Sequence, residues 1–217
     1  NYNTYSPEKG TRYNISVSGS PKFGESGLGF VNTQLDYRTY FKIGTDYSFA
    51  WRFAGGASFG PNPVRYYIGG VPNWINREFQ NDNIPISNIE EFAFSQAGLP
   101  LRGYNYDAKS GSKYAMMNME FRYPIFKYLI LGLLPIGFQD IMGVAFVDMG
   151  TAWRDDADLK LFEKKDGSFQ AKDLLIGTGV GTRAIFLNFP IKFDVAWNTN
   201  LKKWSKPKYY ISLGFDF

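Results

Sequence analysis

The sequence predicts an all-β fold of about eight antiparallel strands, on the basis of its aromatic content, its glycine content and a two-residue alternation of apolar and polar side chains. The 217-residue chain contains 20 Phe, 15 Tyr, 5 Trp and 23 Gly, a mixture typical of strands and turns. Hydrophobic residues make up 44% of it, which is enough to bury a core. Because successive side chains of a strand point to opposite faces, the alternation identifies the strands one by one.

The first three predicted strands lie close together in the sequence. A weak opening strand lies around Tyr13–Val17, and a strong one covers Val31–Ile43, where the odd positions are mostly apolar and the even positions are polar or charged. A short turn at Gly44–Asp46 then leads into a strand at Tyr47–Phe53 with the same alternation. The short turn predicts that the second and third strands form a hairpin.

Five further segments complete the set of about eight strands. In each of them one face is apolar, while the other is charged, polar or rich in glycine. They are, in order, Met117–Tyr123, Ala145–Met149, Ile176–Arg183, Ile191–Asn198 and Tyr209–Phe217.

The connections between the predicted strands alternate in length. Gly44–Asp46 and Leu187–Phe189 are short turns, whereas the longer connections are Ser18–Ser26, Gly55–Ser112, Arg154–Lys172 and Asn200–Lys206. Long loops on one rim and short turns on the other are typical of outer-membrane β-barrels. One connection, Ile125–Ile141, falls on the short-turn side although it is long and apolar, and we expect it to be an interfacial segment.

A soluble antiparallel sandwich or barrel shows the same alternation and is the alternative interpretation. Two features favour a membrane: the polar face carries charge along nearly every strand, and aromatic residues stand near the strand ends on the apolar face, as in interfacial girdles. These aromatic residues are Tyr37, Trp51, Tyr123, Trp153, Trp197 and Tyr209. With the loop lengths, they predict an antiparallel transmembrane β-barrel wall.

The composition excludes most enzyme classes. The chain has no Cys and no His, which removes disulfide frameworks, thiol nucleophiles, Cys-based zinc sites and the commonest general base. Ser95 therefore has no His to activate it, and Glu90 and Glu91 lack the partners that glycoside chemistry needs. We predict that the protein is not an enzyme and has no cofactor.

The charged residues also point to no metal and no nucleic acid. The 24 Lys and Arg residues are scattered and nearly balanced by 20 Asp and Glu, so there is no basic stripe for a nucleic acid. The acidic run Asp155–Asp158 lacks the Gly and the distal Glu of an EF-hand calcium loop, and we expect it to be a solvated loop.

Three segments, taken in order, carry a resemblance to a known family. Leu101-Arg102-Gly103-Tyr104 lies in the long connection, and Met119–Pro124 and Val144–Gly150 lie on the next two strands. They resemble the BamA-type superfamily of outer-membrane assembly and translocation barrels (the bacterial surface antigen barrel), whose sixth surface loop carries a hydrophobic-Arg-Gly-aromatic motif. The resemblance covers essentially the whole chain, matched to the C-terminal half of the family barrel. It implies a long loop that folds back into the barrel.

The last predicted strand carries a second, partial resemblance. Its alternating residues and terminal aromatic are similar to the recognition signal that outer-membrane barrels present to their assembly machinery, although Gly214 is not where that pattern usually places its glycine. The residues of this C-terminal assembly signal are Tyr209, Ile211, Leu213, Phe215 and Phe217.

Electrostatics gives the motif a physical role. If the polar faces point inward, the carboxylates of Glu120 and Asp148 both face inward from neighbouring strands and repel each other unless a cation lies between them. The planar guanidinium of Arg102 can bridge two carboxylates through charge-assisted hydrogen bonds. The alternative is that Arg102 caps an exposed turn and contributes little.

The predicted site is completed by residues that shape the loop tip. Gly103 would permit a sharp turn of the backbone, and Tyr104 would pack against the inner wall. We call the whole predicted site the loop-tip cluster; it comprises Leu101, Arg102, Gly103, Tyr104, Glu120, Phe146 and Asp148.

The resemblance implies a function, because members of the family insert or thread other proteins at the bacterial outer membrane. We expect residues 1–217 to form a single outer-membrane β-barrel domain that contacts the lipid bilayer and either client proteins or partner subunits. The other possibility is a structural barrel or anchor subunit of an outer-membrane complex without insertase activity.

The sequence leaves three possibilities for the size of the complete barrel. The chain is the C-terminal part of a larger barrel, one half of a two-chain assembly of about sixteen strands, or a free-standing barrel of about eight. Tyr5–Gly10 resembles the inter-strand stretch that precedes a strand within the family barrel, so we expect the first of these.

Overall fold

A computed structural model describes residues 7–22, 24, 27–79, 95–131, 136–154, 159–165, 167–187 and 189–214. Within these ranges no helix is long and apolar enough to cross a membrane. The strands are β1 (Gly10–Ser20), β2 (Phe30–Ile43), β3 (Tyr47–Phe59), β4 (Arg65–Ile68), β5 (Ser95–Leu99), β6 (Lys109–Gly111), β7 (Lys113–Leu131), β8 (Ile136–Trp153), β9 (Phe162–Lys165), β10 (Ser168–Ala171), β11 (Leu175–Phe186), β12 (Phe189–Thr199) and β13 (Lys208–Leu213).

Eight of these strands form one antiparallel sheet, in the order β1-β2-β3-β7-β8-β11-β12-β13. Each strand of this wall pairs with the next wall strand in the sequence, because β4, β5 and β6, and then β9 and β10, are insertions that form small sheets of their own. The prediction of an all-β fold with about eight antiparallel wall strands is confirmed. Within the sheet, β1 and β13 each have one strand neighbour, so the described wall is open.

Some wall strands are longer than the alternation predicted. β3 continues from the predicted end at Phe53 to Phe59, and pairs along its whole length with β2. The added part, Ala54–Ala57, consists of Ala and Gly, which carry too little hydrophobic contrast for the alternation to register. The alternation therefore could not predict that this part of β3 pairs with β2.

Ile125–Ile141 was predicted to be a connection between two strands, and this prediction was wrong, because most of it belongs to β7 and β8. Its expected position at the membrane interface stays a prediction. Here β7 and β8 continue as a paired hairpin, with a register that runs from Phe126 opposite Ile141 to Leu131 opposite Ile136. The ladder shifts between Pro124 and Phe126, as expected for a proline, which has no N–H to donate to a neighbouring strand. Because apolar residues occupy both odd and even positions of this stretch, it lacks the alternation by which the other strands were found.

The wall exposes its apolar face and buries its charged face. Phe41 is 51% exposed and Phe193 is 40% exposed, whereas Arg122, Glu120 and Asp148 on the opposite face are at most 1% exposed. A soluble sandwich has the reverse arrangement, since its apolar faces meet in the interior. The orientation is that of a barrel wall with lipid-facing apolar residues and a polar interior. The other outward aromatic residues that are more than a third exposed include Tyr37, Trp51, Phe53, Phe121 and Tyr209.

The long connection between β3 and β7, residues 60–112, is described by the structure at residues 60–79 and 95–112, and these parts lie against the inner face of the wall. We call the connection the inward loop. It contributes to two apolar clusters that cover the inner side chains of the sheet. In the first, Tyr66, Ile68 and Leu101 of the loop pack with Ala54, Tyr114, Met116 and Ala152 of the wall. In the second, Val71 and Trp74 of the loop pack with Val144, Phe146, Ala196 and Tyr210.

A second insertion, between β8 and β11, stands at the same rim. It contains the hairpin of β9 and β10, on which the rings of Phe162 and Phe169 stack at 5.2 Å. The hairpin is joined to the neighbouring loop by a hydrogen bond of 3.0 Å from the Ala171 N–H to the Asn200 carbonyl. The acidic run Asp155–Asp158, expected to be a solvated loop, lies outside the described residues.

Candidate functional site

The tip of the inward loop, residues 101–104, begins with a pair of hydrogen bonds inside the loop itself. The Leu101 N–H donates to the Gly70 carbonyl at 3.0 Å, and the Gly70 N–H donates to the Leu101 carbonyl at 3.1 Å. The Leu101 side chain is fully buried in the first apolar cluster. These two hydrogen bonds therefore hold the tip within its own loop, in addition to its contacts with the wall.

Arg102 binds Asp148 of β8 through a forked contact. The guanidinium Nε donates to Asp148 Oδ2 at 2.7 Å, and Nη2 donates to Asp148 Oδ1 at 2.9 Å. The backbone N–H of Arg102 adds a third hydrogen bond to Oδ2 at 3.0 Å. Two parallel charge-assisted bonds fix the plane of the guanidinium as well as its distance.

The same guanidinium also reaches Glu120 of β7. Nη1 donates to Glu120 Oε1 at 2.7 Å, so one arginine bridges two carboxylates. In the register of β7 and β8, Glu120 lies opposite Phe146 and Asp148 lies opposite Asn118. The Arg102 guanidinium carbon lies 3.5 Å from the centre of the Phe146 ring, where a cation–π contact adds to the ion pairs.

Two further arginines and one further carboxylate extend this network. Arg122 donates from Nε and Nη2 to Glu120 Oε2 at 3.0 and 2.8 Å, and Arg183 of β11 donates to Asp194 Oδ1 of β12 at 2.6 Å. Arg183 also lies 3.6 Å from Glu120 Oε1. Three guanidinium groups thus face three carboxylates, and all six residues are less than a tenth exposed. Formal charge balances, which limits the cost of burying it.

Gly103 turns the chain at a point where a side chain would not fit. Its φ is +94°, and a Cβ would lie 2.9 Å from the Trp197 carbonyl oxygen. Its N–H donates to the Tyr210 hydroxyl at 2.8 Å, and its carbonyl accepts from Asn198 Nδ2 at 2.7 Å. Glycine is needed here both for the left-handed backbone and for the close approach to β12.

Tyr104 fastens the end of the tip to β11. Its hydroxyl accepts from the Ile176 N–H at 3.0 Å and donates to the Ile176 carbonyl at 3.2 Å. Its own carbonyl accepts from the Tyr210 hydroxyl at 2.8 Å. Burial raises the pKa of Tyr104 above its usual value, so the phenol remains protonated and able to donate.

A glycine of the wall makes room for the tip. A Cβ on Gly177 of β11 would lie 1.8 Å from the Arg102 carbonyl oxygen, which no side chain can tolerate without a shift of backbone. Asn118 of β7 completes the contact, because its amide donates both to the Pro100 carbonyl at 3.1 Å and to Asp148 Oδ1 at 2.9 Å. The loop tip therefore contacts five adjacent wall strands, namely β7, β8, β11, β12 and β13.

A comparison with known families identifies the fold that carries this site. The family model of the Omp85 superfamily domain matches residues 2–217. The chain belongs to the Omp85 superfamily. No curated protein matches the sequence. Proteins of the Omp85 superfamily are outer-membrane barrels that insert or translocate proteins, and they work with partner proteins rather than as enzymes.

The structure brings all seven residues of the predicted loop-tip cluster together. It also places at the site five residues that the sequence analysis had not assigned to it. Arg122, Arg183 and Asp194 were recognised only as members of the polar faces of their strands. Gly177 and Tyr210 had no assigned contact with the loop. For the three charged residues, their position on the polar face of a strand could have indicated that they belong to the site. For Gly177 and Tyr210, the alternation predicts the face of the strand but not the contact with the loop.

The C-terminal strand of this Omp85 domain carries the first three residues of the predicted assembly signal. Tyr209, Ile211 and Leu213 lie on β13 and are 40–53% exposed on the outer, apolar face. Phe215 and Phe217, the other two residues of the predicted signal, lie outside the described residues. Among the residues that the structure describes, there is no group of three or more side chains suited to hold a metal ion.

Proposed function

We propose that this chain is the C-terminal half of an Omp85 barrel in the bacterial outer membrane, and that it takes part in inserting or translocating other proteins. The observation that carries the proposal is the buried contact of the loop tip with five adjacent wall strands. Membership of the superfamily and the exposed apolar face support it. The outer face contacts the lipid bilayer, and neither a cofactor nor a nucleic acid is involved.

The loop-tip cluster serves this function by holding the wall in shape. Within a sheet, each strand is tied only to its neighbours, so a barrel that must admit other polypeptides needs a second means of keeping its strands in place. Arg102 joins β7 to β8 from inside, while Gly103 and Tyr104 add contacts with β11, β12 and β13. If the C-terminal half is rigid, any movement of strands that admits another polypeptide takes place at the edges of the sheet.

The open sheet supports the assignment as half of a larger barrel. Its two outermost strands, β1 and β13, each have one strand neighbour in the described wall. The outer edge of β13 is hydrogen-bonded to Asn73 and Ile75 of the inward loop, whereas β1 has only β2 beside it in the described wall. An exposed edge in a bilayer leaves backbone polar groups without partners, so the wall must be closed by further strands beside β1. We therefore propose that other strands, from a longer form of this chain or from a partner subunit, complete the barrel.

The function is tested by depleting the protein in the bacterium that makes it. If it assists insertion, unrelated outer-membrane barrels should accumulate unfolded in the periplasm. Complementation with Arg102→Ala should fail, whereas the exposed-residue control Lys172→Ala should restore growth. A purified native protein with a mass of 24.7 kDa, that of residues 1–217 alone, would contradict the half-barrel part of the proposal.

A structural anchor is the second candidate, and the filling of the inner face favours it. The loop side chains Tyr66, Ile68 and Leu101 are fully buried against the wall, so this half offers little open space under the loop. An anchor would hold one surface complex in the membrane and insert nothing. Loss of only one such complex on depletion, with other barrels folding normally, would favour the anchor over the insertase.

A further inference from the structure

A shallow groove crosses the outer face of the wall near the rim where the inward loop leaves β3. Gly55 and Ala57 of β3 line it, and their side chains are too small to fill the space between the neighbouring strands. Ile15 and Leu35 border the groove on one side, and Trp153 borders it on the other. Its volume of about 510 Å³ is within the range of small-molecule sites in proteins.

The register of the wall strands places these residues on one face. Gly55 lies opposite Leu35 of β2, Ala57 lies opposite Lys113 of β7, and Lys113 lies opposite Trp153 of β8. Side chains of directly opposed residues in antiparallel strands point to the same side of the sheet. This side is the exposed apolar one, so the groove opens to the outside of the wall.

Lys113 puts a positive charge at the loop end of the groove. It is the first residue of β7, and its Nζ lies 5.0 Å from the centre of the ring of Phe59, the last residue of β3. At the outward positions of β2, β3 and the described stretch Lys113–Tyr123, it is the one charged side chain. A charge on the lipid side of a barrel is costly at mid-membrane and tolerated at the interface. In a bilayer, Lys113 therefore stands at the level of the lipid headgroups.

We propose that the groove and Lys113 form a binding site for one lipopolysaccharide molecule, with a phosphate group on the Lys113 ammonium and an acyl chain along Gly55 and Ala57. The apolar groove suits hydrocarbon and the cation suits an anionic headgroup, so the two parts of the site match the two parts of an amphiphile. This assignment rests on the outer-membrane placement in the proposed function.

The rim on which the site lies favours this lipid over a phospholipid. In outer-membrane barrels the long loops are extracellular and the short turns are periplasmic. Lys113 directly follows the long inward loop, so its neighbours in the bilayer are lipids of the outer leaflet. Lipopolysaccharide is the anionic lipid of that leaflet, and its phosphate groups sit on the same sugars as its acyl chains. Trp153, at the end of β8, stands at the same level, as interfacial aromatic residues do.

Two variants weaken the site in different ways. Lys113→Gln removes the charge and keeps a long polar side chain, whereas Ala57→Leu fills the groove and keeps the outer face apolar. Lys203→Gln, an exposed lysine of the loop between β12 and β13, is the control for charge. Ala145→Leu, an outward alanine of β8 that lies opposite Phe121, is the control for size.

The probe is phosphorylated lipid A, the acylated sugar unit of lipopolysaccharide. The full chain in a non-ionic detergent is titrated with it, and the fraction that carries one lipid is measured by native mass spectrometry. K113Q and A57L should bind about tenfold more weakly than the unmodified protein, whereas K203Q and A145L should bind as the unmodified protein does. Phosphatidylglycerol, the phospholipid probe, should bind the unmodified protein about tenfold more weakly than lipid A.

Dephosphorylated lipid A tests the charge contact without a substitution. It should bind the unmodified protein about tenfold more weakly than the phosphorylated form. K113Q should bind both forms equally, because its charge partner for the phosphate is already absent. The unmodified protein thus keeps the charge contact testable if K113Q does not fold, which the temperature at which the unboiled band shifts on a gel would reveal.

Several outcomes would overturn the proposal. Equal binding of lipid A by K113Q, A57L and the unmodified protein would exclude this site, and loss of binding in K113Q alone would exclude the groove as the place of the acyl chain. Equal binding of phosphatidylglycerol and lipid A would make the assignment to lipopolysaccharide wrong. A dimer that lipid A does not disperse and that A57L abolishes would make the groove a contact with a second copy. The titration measures binding and the depletion experiment measures insertion, so a failure of either is seen separately.

Discussion

Two ion pairs in this protein, one inside the wall and one at the surface, have nearly the same contact distance and very different surroundings. Arg102 and Glu120 approach to 2.7 Å inside the wall, with side chains 6% and 1% exposed. Lys42 and Glu8 approach to 2.6 Å at the surface, with side chains 39% and 40% exposed. The difference teaches that distance alone says little about what a charged contact contributes to the fold.

The contrast arises from the solvent around each pair. At the surface, water screens the charges and the two side chains lose conformational freedom when they pair, so exposed pairs contribute about 0–1 kcal/mol. Inside the wall, each carboxylate has lost its water and depends on arginine donors. Removing one partner there leaves a buried charge without compensation, which costs about 3–5 kcal/mol. The following substitutions test this contrast.

Arg102→Ala should give the largest effect. It removes three side-chain hydrogen bonds, two to Asp148 and one to Glu120, and leaves Asp148 with two donors, the Asn118 amide and the backbone N–H of residue 102. We expect the free energy of unfolding to fall by about 3–5 kcal/mol. Urea unfolding in detergent, and the temperature at which the unboiled band shifts on a gel, would measure it.

Arg102→Lys is the informative companion of that variant. It keeps the charge and loses the fork, so its effect should lie between those of Arg102→Ala and the unmodified protein. Lys172→Ala removes an exposed pair of 3.3 Å with Glu163 and serves as the surface control. If Arg102→Ala were no more damaging than Lys172→Ala, burial would not strengthen these contacts and the contrast between the two regions would disappear.

Gly177→Ala should have the next largest effect. It tests the close contact of the loop tip with β11 without changing any charge. The added Cβ would lie 1.8 Å from the Arg102 carbonyl oxygen, so the tip must move away from β11. Overpacking of this kind typically costs about 1–3 kcal/mol. Limited proteolysis of the inward loop, with urea unfolding, would detect the displaced tip.

Gly55→Ala is the matched control on β3. There the nearest atom to an added Cβ is the Tyr114 carbonyl oxygen, at an ordinary contact distance of 3.5 Å. The change should be neutral or slightly stabilising, because alanine restricts the unfolded chain more than glycine does. Equal destabilisation by both variants would mean that strand propensity, and not the loop tip, sets the requirement at Gly177.

The charged part of the site could be predicted from sequence because strand periodicity fixes which face a side chain occupies. Once Glu120 and Asp148 were assigned to the inner face of neighbouring strands, electrostatics favoured a cation between them, and the resemblance to the family motif, whose loop folds back into the barrel, indicated Arg102 as that cation. The structure places its guanidinium between them. The same reasoning assigned Arg122 and Asp194 to the inner face and stopped there.

The remaining features depend on where the loop crosses the sheet, which periodicity does not determine. Tyr210 lies more than a hundred residues beyond Gly103 in the sequence, and nothing local to either indicates that they share a hydrogen bond. The Ile125–Ile141 hairpin was missed for a different reason. Apolar residues there occupy both odd and even positions, so the alternation that identified the other strands was absent.

Tyr210→Phe should have an effect no larger than that of Gly177→Ala, and it tests whether buried hydrogen bonds behave as the buried ion pairs do. The hydroxyl accepts from the Gly103 N–H and donates to the Tyr104 carbonyl, so its loss leaves two buried backbone groups without that partner. The expected cost is about 1–3 kcal/mol. Tyr209→Phe, next to it on the exposed face, should change stability by much less. Equal effects of the two would place the Tyr210 hydroxyl in contact with water.

Asp173→Asn at the rim should give the smallest effect, and its sign can be worked out. A hydrogen bond from the Lys160 N–H, followed by hydrogen bonding and charge from Lys109, lowers the pKa of Asp173 below its ordinary value. A lowered pKa means that the carboxylate stabilises the fold above the unfolded pKa, near 4, and that this contribution is lost as pH falls through the folded pKa.

For this partly exposed group the contribution at neutral pH should be at most about 1 kcal/mol, and it should shrink as salt is added. The measurement is the difference in unfolding free energy between the unmodified protein and Asp173→Asn, taken from pH 7 down to pH 3. Working with the difference removes the titration of the buried carboxylates, which both proteins share. The difference should narrow as the solution becomes more acidic. A difference as large as that of Arg102→Ala, or one that grows on acidification, would show that exposure does not weaken ion pairs in this wall.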